Sequence, residues 1–226
     1  LPFAKTQLYH HSTHTPLAVR WPGVTKSNTL DEEHMVSAVD LTPTILEIAG
    51  VQGPRMDGRS FASVLKGESQ DDREFVVKEY NENSGRSRDP IRAVQTKKYL
   101  YLANAWANGS RVFATATTGT QTYRRMAALA KTDDYLAQRL AMYKHRVPEE
   151  FYDVEKDPAC LHNLIDSPMH QQLIQQQRDR LLEWMKNTND HMLDCYRHFD
   201  DAEAREAYVL AKEKEAGSRN KGNSKE

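Results

Sequence analysis

The sequence is poor in cysteine, has almost no net charge and lacks long apolar runs. Two of its 226 residues are cysteine and its net charge is −1. No apolar run approaches the roughly 20 residues of a membrane-spanning helix. A balanced charge gives no general attraction to nucleic acid or to an anionic membrane, so neither is an expected partner. With 38% hydrophobic residues the chain can still bury a core, and we expect a soluble, folded protein.

The two cysteines, Cys160 and Cys195, lack the spacing of a metal site. The sequence contains no Cys-x-x-Cys pair and no histidine at zinc-finger spacing, so a thiolate-bound metal is not expected. A disulfide between them would clip the last predicted helix to the segment before it. The sequence leaves open whether that bond forms.

Residues 1–70 alternate predicted strand and helix. Leu17–Trp21 is typical of a short buried strand that ends in a Pro-Gly turn. Thr42 is predicted to cap a helix that begins at Pro43 and stops at Gly50. The buried stripe of this helix is predicted to be Ile45, Leu46, Ile48 and Ala49. This alternation predicts the end of an α/β layered domain.

A polar break at Gly67–Arg73 predicts the boundary to a second unit. Beyond it, short runs rich in aromatic and β-branched residues predict neighbouring antiparallel strands at Phe75–Val77, Arg92–Gln95, Tyr99–Leu102 and Glu150–Asp153. Helical spacing of apolar residues predicts helices over Tyr123–Arg146 and Met169–Asn187. We therefore predict an antiparallel-sheet subdomain with packing helices over residues 71–199. A charged segment over 200–226 is predicted to be a frayed helix and a disordered tail.

The segment that begins at Lys5 concentrates groups capable of chemistry. Hydrogen-bonding and titratable side chains crowd the residues before the first predicted strand: Lys5, Thr6, Tyr9, His10, His11 and His14. Loops that lead into α/β strands often carry functional residues, although a single lysine is usually a solvated charge. Neighbouring histidines point to different faces of an extended chain, so joint metal ligation by His10 and His11 is not expected.

Several short motifs occur together along the chain. They are Lys5-Thr6-Gln7-Leu8-Tyr9, Trp21-Pro22-Gly23, Asp40-Leu41-Thr42-Pro43-Thr44-Ile45-Leu46, Asp57-Gly58-Arg59-Ser60, Arg92-Ala93-Val94 and Phe151-Tyr152-Asp153. In this combination the chain resembles the type I sulfatases of the alkaline-phosphatase superfamily over residues 1–196. The opening residues and the long insertion Ala103–Val147 are most similar to the heparan N-sulfatase branch. On its residues alone, the Asp57–Ser60 motif is interpreted as a glycine turn with a buried arginine paired to a carboxylate.

The resemblance implies an alkaline-phosphatase-like α/β fold with a smaller α+β domain built on an antiparallel sheet. It implies a hydrolase of sulfate esters or N-sulfates of sugars, with a calcium ion and a formylglycine made from Cys or Ser in a Cys/Ser-x-Pro-x-Arg motif. Because neither that motif nor the acidic metal ligands occur here, we expect both upstream, in a missing N-terminal catalytic part. The chain, which begins with Leu1, is interpreted as starting in mid-enzyme. Family resemblance also implies an extracytoplasmic location: periplasmic, secreted or lysosomal.

One catalytic residue of the family is a basic side chain that contacts the sulfate oxygens. The resemblance places this residue at Lys5. A fixed cation there would stabilise the charge of the transition state. The resemblance places substrate-binding residues in the loop before the Arg92 strand: Glu79, Asn81, Glu82 and Asn83. His10 and His11, beside Lys5, are further candidate substrate-binding residues. Heparan N-sulfatase-like relatives tend to have a histidine where this chain has Asn83, which leaves the sugar open. Charge composition alone would favour a solvated hairpin tip for the same loop.

Two alternatives stay open on the sequence. A phosphodiesterase or phosphonate hydrolase of the same superfamily would share the layered fold and lack the Cys/Ser-x-Pro-x-Arg motif upstream. A non-catalytic domain that binds sulfated glycans would lack the upstream catalytic part altogether. The expected partners are a sulfated sugar and the missing N-terminal part of the same protein.

Overall fold

The computed structural model of the protein describes residues 3–82 and 88–222, with side chains as far as residue 217. The chain divides into two compact units. One, the sheet unit, comprises Leu1–His14, Val77–Val94 and Lys98–Glu226; the other, the helical unit, comprises Thr15–Val76 and Gln95–Lys97.

Four strands form one sheet in the order β1-β2-β3-β4. They are β1 (Phe75–Glu82), β2 (Arg88–Thr96), β3 (Tyr99–Asn104) and β4 (Glu149–Asp153). β3 and β4 pair antiparallel, with Tyr101 opposite Phe151. Every residue of β3 after Tyr99 is buried, which fits a strand covered on both faces. The four predicted strands and the mixed α/β fold class are confirmed.

The eight α-helices of the described residues are distributed along the whole chain. They are α1 (His10–Thr13), α2 (Leu41–Ile48), α3 (Ala62–Leu65), α4 (Gln121–Leu129), α5 (Asp134–Lys144), α6 (Gln171–Thr188), α7 (Leu193–Tyr196) and α8 (Ala202–Gly222). Short 3₁₀ turns precede α2, α4 and α6, at Ala38–Asp40, Ala116–Gly119 and Pro168–His170. No helix in the described ranges is both long enough and apolar enough to cross a membrane.

The helical segment predicted over Tyr123–Arg146 is confirmed, and the structure divides it into two helices. Asp133 separates α4 from α5 with an extended backbone, and its carboxylate accepts a hydrogen bond from the Leu136 N–H at 3.0 Å. An aspartate in this position satisfies an N–H that the first turn leaves without a partner. The apolar periodicity continues across the break, so it hides the start of a new helix.

In the described residues, the C-terminal segment forms a longer helix than the predicted frayed one. α8 is continuous, and its Val209 is completely buried. Arg111 joins it to the insertion by ion pairs with Glu206 at 2.7 Å and with Glu213 at 2.6 Å. Composition predicted disorder because few apolar residues are present, whereas one buried valine and a guanidinium between two carboxylates hold the helix in place.

The core of the sheet unit is aromatic. Phe113, which has no exposed surface, lies with its ring centroid 5.3 Å from Trp106 and 6.0 Å from Tyr143. α6 adds the buried apolar residues Ile174 and Leu181 from its predicted inner face. Aromatic side chains bury large areas and prefer such stacked and edge-on arrangements, so they dominate the packing energy of the unit.

The helical unit is held by a polar cluster. The Arg73 guanidinium donates to Asp40 Oδ2 at 2.9 Å, and both side chains are almost fully buried. Asp40 Oδ1 accepts from the Arg59 N–H at 2.9 Å. The buried arginine that was expected at Arg59 is therefore Arg73, because the Arg59 side chain is 44% exposed and pairs with Asp72.

Two predictions for the helical unit are wrong. Leu17–Trp21 is not a strand: Leu17 is 53% exposed, and a strand needs a partner that the described residues do not supply. α2 begins at Leu41, two residues before Pro43, and Ile45 on its predicted buried stripe is 63% exposed. The predicted stop is confirmed, since Gly50 takes the left-handed φ of +66° that ends a helix.

Candidate functional site

The candidate site lies in the sheet unit and is built around residues 5–9, which we call the Lys5 loop. Lys5 is exposed, whereas Gln7, Leu8 and Tyr9 are buried. Between them Thr6 adopts φ +56°, in the left-handed region. A β-branched residue is a conformational outlier there, at a cost of about 1–3 kcal/mol that neighbouring contacts must offset.

Thr6 joins a buried cluster of hydroxyl groups from the insertion. Its Oγ1 lies 2.9 Å from Thr115 Oγ1, which lies 2.7 Å from Thr117 Oγ1 and 2.9 Å from the Tyr143 hydroxyl. Thr117 and Tyr143 also hydrogen-bond directly. Thr6 therefore has a polar partner at the place where its backbone is strained.

Gln7 is held by a buried cation. Arg146 donates from Nη2 to Gln7 Oε1. The same guanidinium lies over the Tyr9 ring, 4.5 Å from its centroid, and 3.7 Å from Glu150 Oε1. A buried charge needs such partners, because burial without them would be costly.

Glu150 is the acceptor at the centre of this region. Its Oε2 accepts from the Tyr9 hydroxyl at 2.7 Å and from the Tyr152 hydroxyl at 2.6 Å. Its Oε1 accepts from Asn104 Nδ2 at 2.6 Å. Burial and the neighbouring carboxylate raise the pKa of Tyr9 well above its usual value, so the phenol stays a donor.

Leu8 contributes its backbone to the anchoring. Lys78 on β1 donates from Nζ to the Leu8 carbonyl at 3.3 Å. Burial lowers the pKa of Lys78 to about 7. The four residues after Lys5 are thus each tied to the sheet unit, while the Lys5 side chain stays exposed.

The histidines that follow the Lys5 loop do not form a metal site. His10 is half-buried and His11 is exposed. The His10 ring stacks on His14 with centroids 4.7 Å apart and planes 18° apart. Within residues 3–82 and 88–222 no group of three or more His, Cys, Asp or Glu side chains is arranged to hold a metal ion.

The predicted substrate residues on β1 have partners inside the chain. Arg92, completely buried, donates to Asn81 Oδ1 at 2.8 Å and pairs with Asp190 at 2.8 Å. Glu79 Oε2 lies 3.7 Å from the same guanidinium, and its side chain is 56% exposed. Asn81 and Asp190 therefore compensate a buried charge, which is a structural task.

Glu82 lies at the end of β1 and pairs with Arg88 at 2.7 Å, with 43% of its side chain exposed. Asn83 lies outside the described residues. Of the predicted substrate residues on β1, Glu79 and Glu82 therefore offer a carboxylate that a ligand could reach.

The two cysteines do not form a disulfide in the structure. Cys160 and Cys195 are both buried free thiols. Burial raises the pKa of Cys160 to about 12 and that of Cys195 to about 11, so neither is a ready nucleophile at neutral pH.

Sequence reasoning missed Arg146, Glu150 and the conformation of Thr6. A charged residue inside the predicted strand Glu150–Asp153 was a signal for Glu150, because carboxylates are rarely buried unless paired. No local pattern pointed to Arg146, whose partner Gln7 is 139 positions away.

Comparison with known proteins agrees with this architecture. A family model described as N-sulphoglucosamine sulphohydrolase, C-terminal, matches residues 2–108. An ulvan-active sulfatase of Formosa agariphila is 30% identical over 77% of this chain and 33% of its own length. Human N-sulphoglucosamine sulphohydrolase is 29% identical over 84% of this chain and 40% of its own length.

The solved structure of a 2-O GAG sulfatase shares the fold, with a TM-score of 0.51 and 23% identity over 81% of this chain and 32% of that one. The chain is thus similar to the C-terminal part of N-sulphoglucosamine sulphohydrolase and of other sulfatases. It shares the fold of that part with the solved sulfatase structure. It spans 33% and 40% of the length of the two relatives compared by sequence.

Proposed function

We propose that the chain is the C-terminal part of an enzyme that hydrolyses sulfate esters or N-sulfates of sugars, in which Lys5 contacts the sulfate. The observation that carries this proposal is the Lys5 loop. An exposed ammonium group opens the family motif, and the four residues after it are anchored by buried groups. A surface lysine without a function would not need such a rigid frame after it.

The chemistry favours a cation in this place. When a sulfuryl group is transferred, negative charge spreads over its oxygens, and a positioned ammonium stabilises that charge without having to reorganise. The anchors on Thr6 and Gln7 hold the backbone from which the Lys5 side chain extends. Because negative charge spreads over the sulfuryl oxygens during transfer, the contribution of the ammonium group is larger in the transition state than in the ground state.

The nucleophile and the metal are assigned elsewhere. The family implies formylglycine and calcium, but neither cysteine stands in a Cys-x-Pro-x-Arg context, and the described residues gather no group suited to a metal. The described residues therefore do not fit a formylglycine or a calcium ion. We assign both to polypeptide that precedes this chain in the intact protein.

The domain roles follow from the same proposal. Residues 1–70 are the end of the catalytic α/β domain, 71–199 form a subdomain that walls the substrate pocket, and 200–226 are a C-terminal extension. The partners are a sulfated sugar and the preceding catalytic part. The location is extracytoplasmic, in keeping with family resemblance.

For the substrate we propose an N-sulfated glucosamine of a glycosaminoglycan. The match to the N-sulphoglucosamine sulphohydrolase model supports this choice. Glu79, Glu82, Asn83, His10 and His11 are proposed sugar contacts, because carboxylates, amides and imidazoles bind hydroxyl groups. Asn81 is a weaker candidate, since its amide oxygen is already bound to Arg92.

The decisive experiment replaces Lys5 in a polypeptide that joins this chain to its catalytic part. Lys5→Ala should lower kcat/KM for a sulfated sugar by roughly 10² or more, because it removes transition-state stabilisation. Lys5→Arg, which keeps the charge, should retain much of the activity. Lys131→Ala removes another exposed lysine of the sheet unit and is the matched control.

Full turnover by Lys5→Ala would refute the assignment. Turnover of phosphonate monoesters in place of sulfated sugars would make the protein a different hydrolase of the superfamily. Binding of sulfated glycans without turnover would make it a binding domain.

Substrate choice has its own test. Glu82→Ala should raise KM or change the preferred sugar, with the free energy of unfolding within about 0.5 kcal/mol of the parent, because the side chain is partly exposed. Unchanged selectivity across N- and O-sulfated sugars would make this end of β1 scaffold only.

A further inference from the structure

Thr6 has a side chain that is poorly suited to its backbone conformation. The described non-glycine residues with positive φ are Thr6, Asn28, Cys160 and Asn189. Asparagine tolerates the left-handed region because its amide bonds locally, whereas a β-branched side chain is strongly disfavoured. Such strain persists when the surroundings over-determine it, and it is concentrated at functional sites.

The surroundings that over-determine Thr6 are three buried hydroxyl groups. Thr115 and Thr117 are each 5% exposed and Tyr143 is fully buried. Thr115 holds a fixed orientation, since its Oγ1 also accepts from the Thr117 N–H and caps the 3₁₀ turn at Ala116–Gly119. Its hydrogen bond to Thr6 therefore ends in a rigid, water-excluded cluster.

The other anchors of the Lys5 loop are independent of this cluster. Gln7 is bound by Arg146, the Leu8 carbonyl by Lys78, and Tyr9 by Glu150. Loss of the Thr6 contact would therefore leave residues 7–9 in place. The strained peptide at Thr6 would be free to relax, and that rotation changes the direction of the chain at Lys5.

We infer that Thr6 and Tyr143 are positioning residues: the Tyr143–Thr115–Thr117 hydroxyl cluster holds Thr6 in its left-handed conformation and so sets the direction of the Lys5 ammonium group. This inference rests on the proposed function for its catalytic consequence. Its structural half states that the cluster holds the Thr6 backbone. That half can be tested without measuring enzyme activity.

The structural half is tested on the chain itself by amide hydrogen exchange at Thr6, with Gln7, whose N–H donates to Ser12 Oγ at 3.2 Å, as an internal reference. Thr6→Val keeps the shape and removes the hydroxyl, and Tyr143→Phe removes the hydroxyl at the other end of the cluster. Each should speed exchange at the Thr6 amide by roughly 10-fold or more, as a local opening, and leave exchange at Gln7 unchanged. Tyr196→Phe is the matched control, because its buried hydroxyl bonds Tyr101 at 3.1 Å and takes no part in the cluster.

Thr6→Gly and Thr6→Asn separate strain from hydrogen bonding. Both residues accept positive φ, so the backbone should stay in place without the threonine hydroxyl. If Tyr143→Phe is poorly folded, Thr117→Val perturbs the same cluster with a smaller change. Unchanged exchange in Thr6→Val together with Thr117→Val or Tyr143→Phe would overturn the inference.

The catalytic half is tested in the polypeptide that includes the catalytic part. Thr6→Val should lower kcat by roughly 10-fold with little change in KM, since a misdirected cation loses transition-state stabilisation first. Thr6→Asn should restore most of kcat, which a merely structural role of the hydroxyl would not predict.

The two proposals fail in different ways. If Lys5→Ala is fully active, the proposed function is wrong, whatever Thr6 does. If Lys5→Ala is impaired while Thr6→Val and Tyr143→Phe keep the parent's kcat, Lys5 acts on the sulfate and the positioning role is wrong.

Discussion

The two units of the molecule bury different kinds of side chain. In the sheet unit the largest buried groups include Trp106, Phe113 and Tyr143, packed ring to ring. In the helical unit the buried residues are mainly polar: Asp40, Thr44, Arg73 and Gln95, with Phe61 and Ala62 as the apolar members. The sheet unit therefore combines an aromatic core with buried ion pairs such as Arg92–Asp190, whereas the helical unit depends mainly on the Arg73–Asp40 pair.

The helical unit also leaves apolar side chains in water. Leu30 is 82% exposed, Ile45 63% and Val39 58%. Exposed apolar residues in such number are unusual where a unit has its own complete core. The comparison teaches that equal hydrophobic content along a sequence does not mean equal burial, because burial depends on which surfaces have partners.

The largest expected effect is in the aromatic core. Phe113→Ala should lower the free energy of unfolding by about 3–5 kcal/mol, because it removes a fully buried ring and leaves a cavity. Urea denaturation followed by tryptophan fluorescence measures this change. Val112→Ala, at an adjacent residue that is 53% exposed, should have little effect. Equal losses in both variants would contradict an aromatic core at Phe113.

Next comes the ion pair of the helical unit. Asp40→Ala should destabilise that unit by about 3 kcal/mol, because Arg73 is then left buried without its carboxylate. Amide exchange at Phe61, whose N–H donates to Thr44, reports the change locally. Asp71→Ala removes an exposed carboxylate and is the control. If the two variants behave alike, the polar cluster does not hold the unit.

A smaller effect should appear as a pH dependence of the sheet unit. Burial raises the pKa of Asp89 from 3.8 to about 6. The folded protein then binds more protons than the unfolded chain between these values. The stability contributed by this group is complete below pH 3.8 and is lost as the pH rises through about 6. The shift is worth at most about 2–3 kcal/mol.

Asp89→Asn cannot titrate and should flatten that part of the stability profile. Thermal unfolding of the parent and the variant between pH 4 and pH 7 provides the comparison. If the stability of the parent and of Asp89→Asn changes by the same amount over this range, the carboxylate does not contribute to the pH dependence.

The smallest expected effect is at the exposed face of α2. Ile45→Ser should change the free energy of unfolding of this chain by no more than about 0.5 kcal/mol, because the side chain is already largely in water. Ile174→Ser, at a fully buried position on α6, should cost several times more. A large loss in Ile45→Ser would mean that the helical unit has an apolar core after all.

The sequence predicted the sheet well because strand signals are local. Alternating aromatic and apolar residues identified β3, and the Gly50 stop of α2 followed from one residue type. Helix boundaries were less accurate: α2 begins after Asp40 without a side-chain cap, and Asp133 caps α5 through a contact that apolar periodicity does not record. Leu17–Trp21 was predicted as a strand from its composition. A strand also needs a neighbouring strand to pair with, and the composition of one segment does not reveal whether that neighbour is present.

Within the candidate site, the sequence by itself determined that Lys5 belongs to a sulfatase-like motif and that polar groups surround it. Tertiary structure alone decided that Thr6 is strained against a hydroxyl cluster, that Gln7 meets Arg146 and that Tyr9 meets Glu150. These partners lie 109, 139 and 141 positions apart along the chain. A short motif determines which side chains are available in the Lys5 loop. Their geometry arises only when the insertion and β4 fold back onto this loop. Contacts between residues so far apart in sequence leave no local pattern.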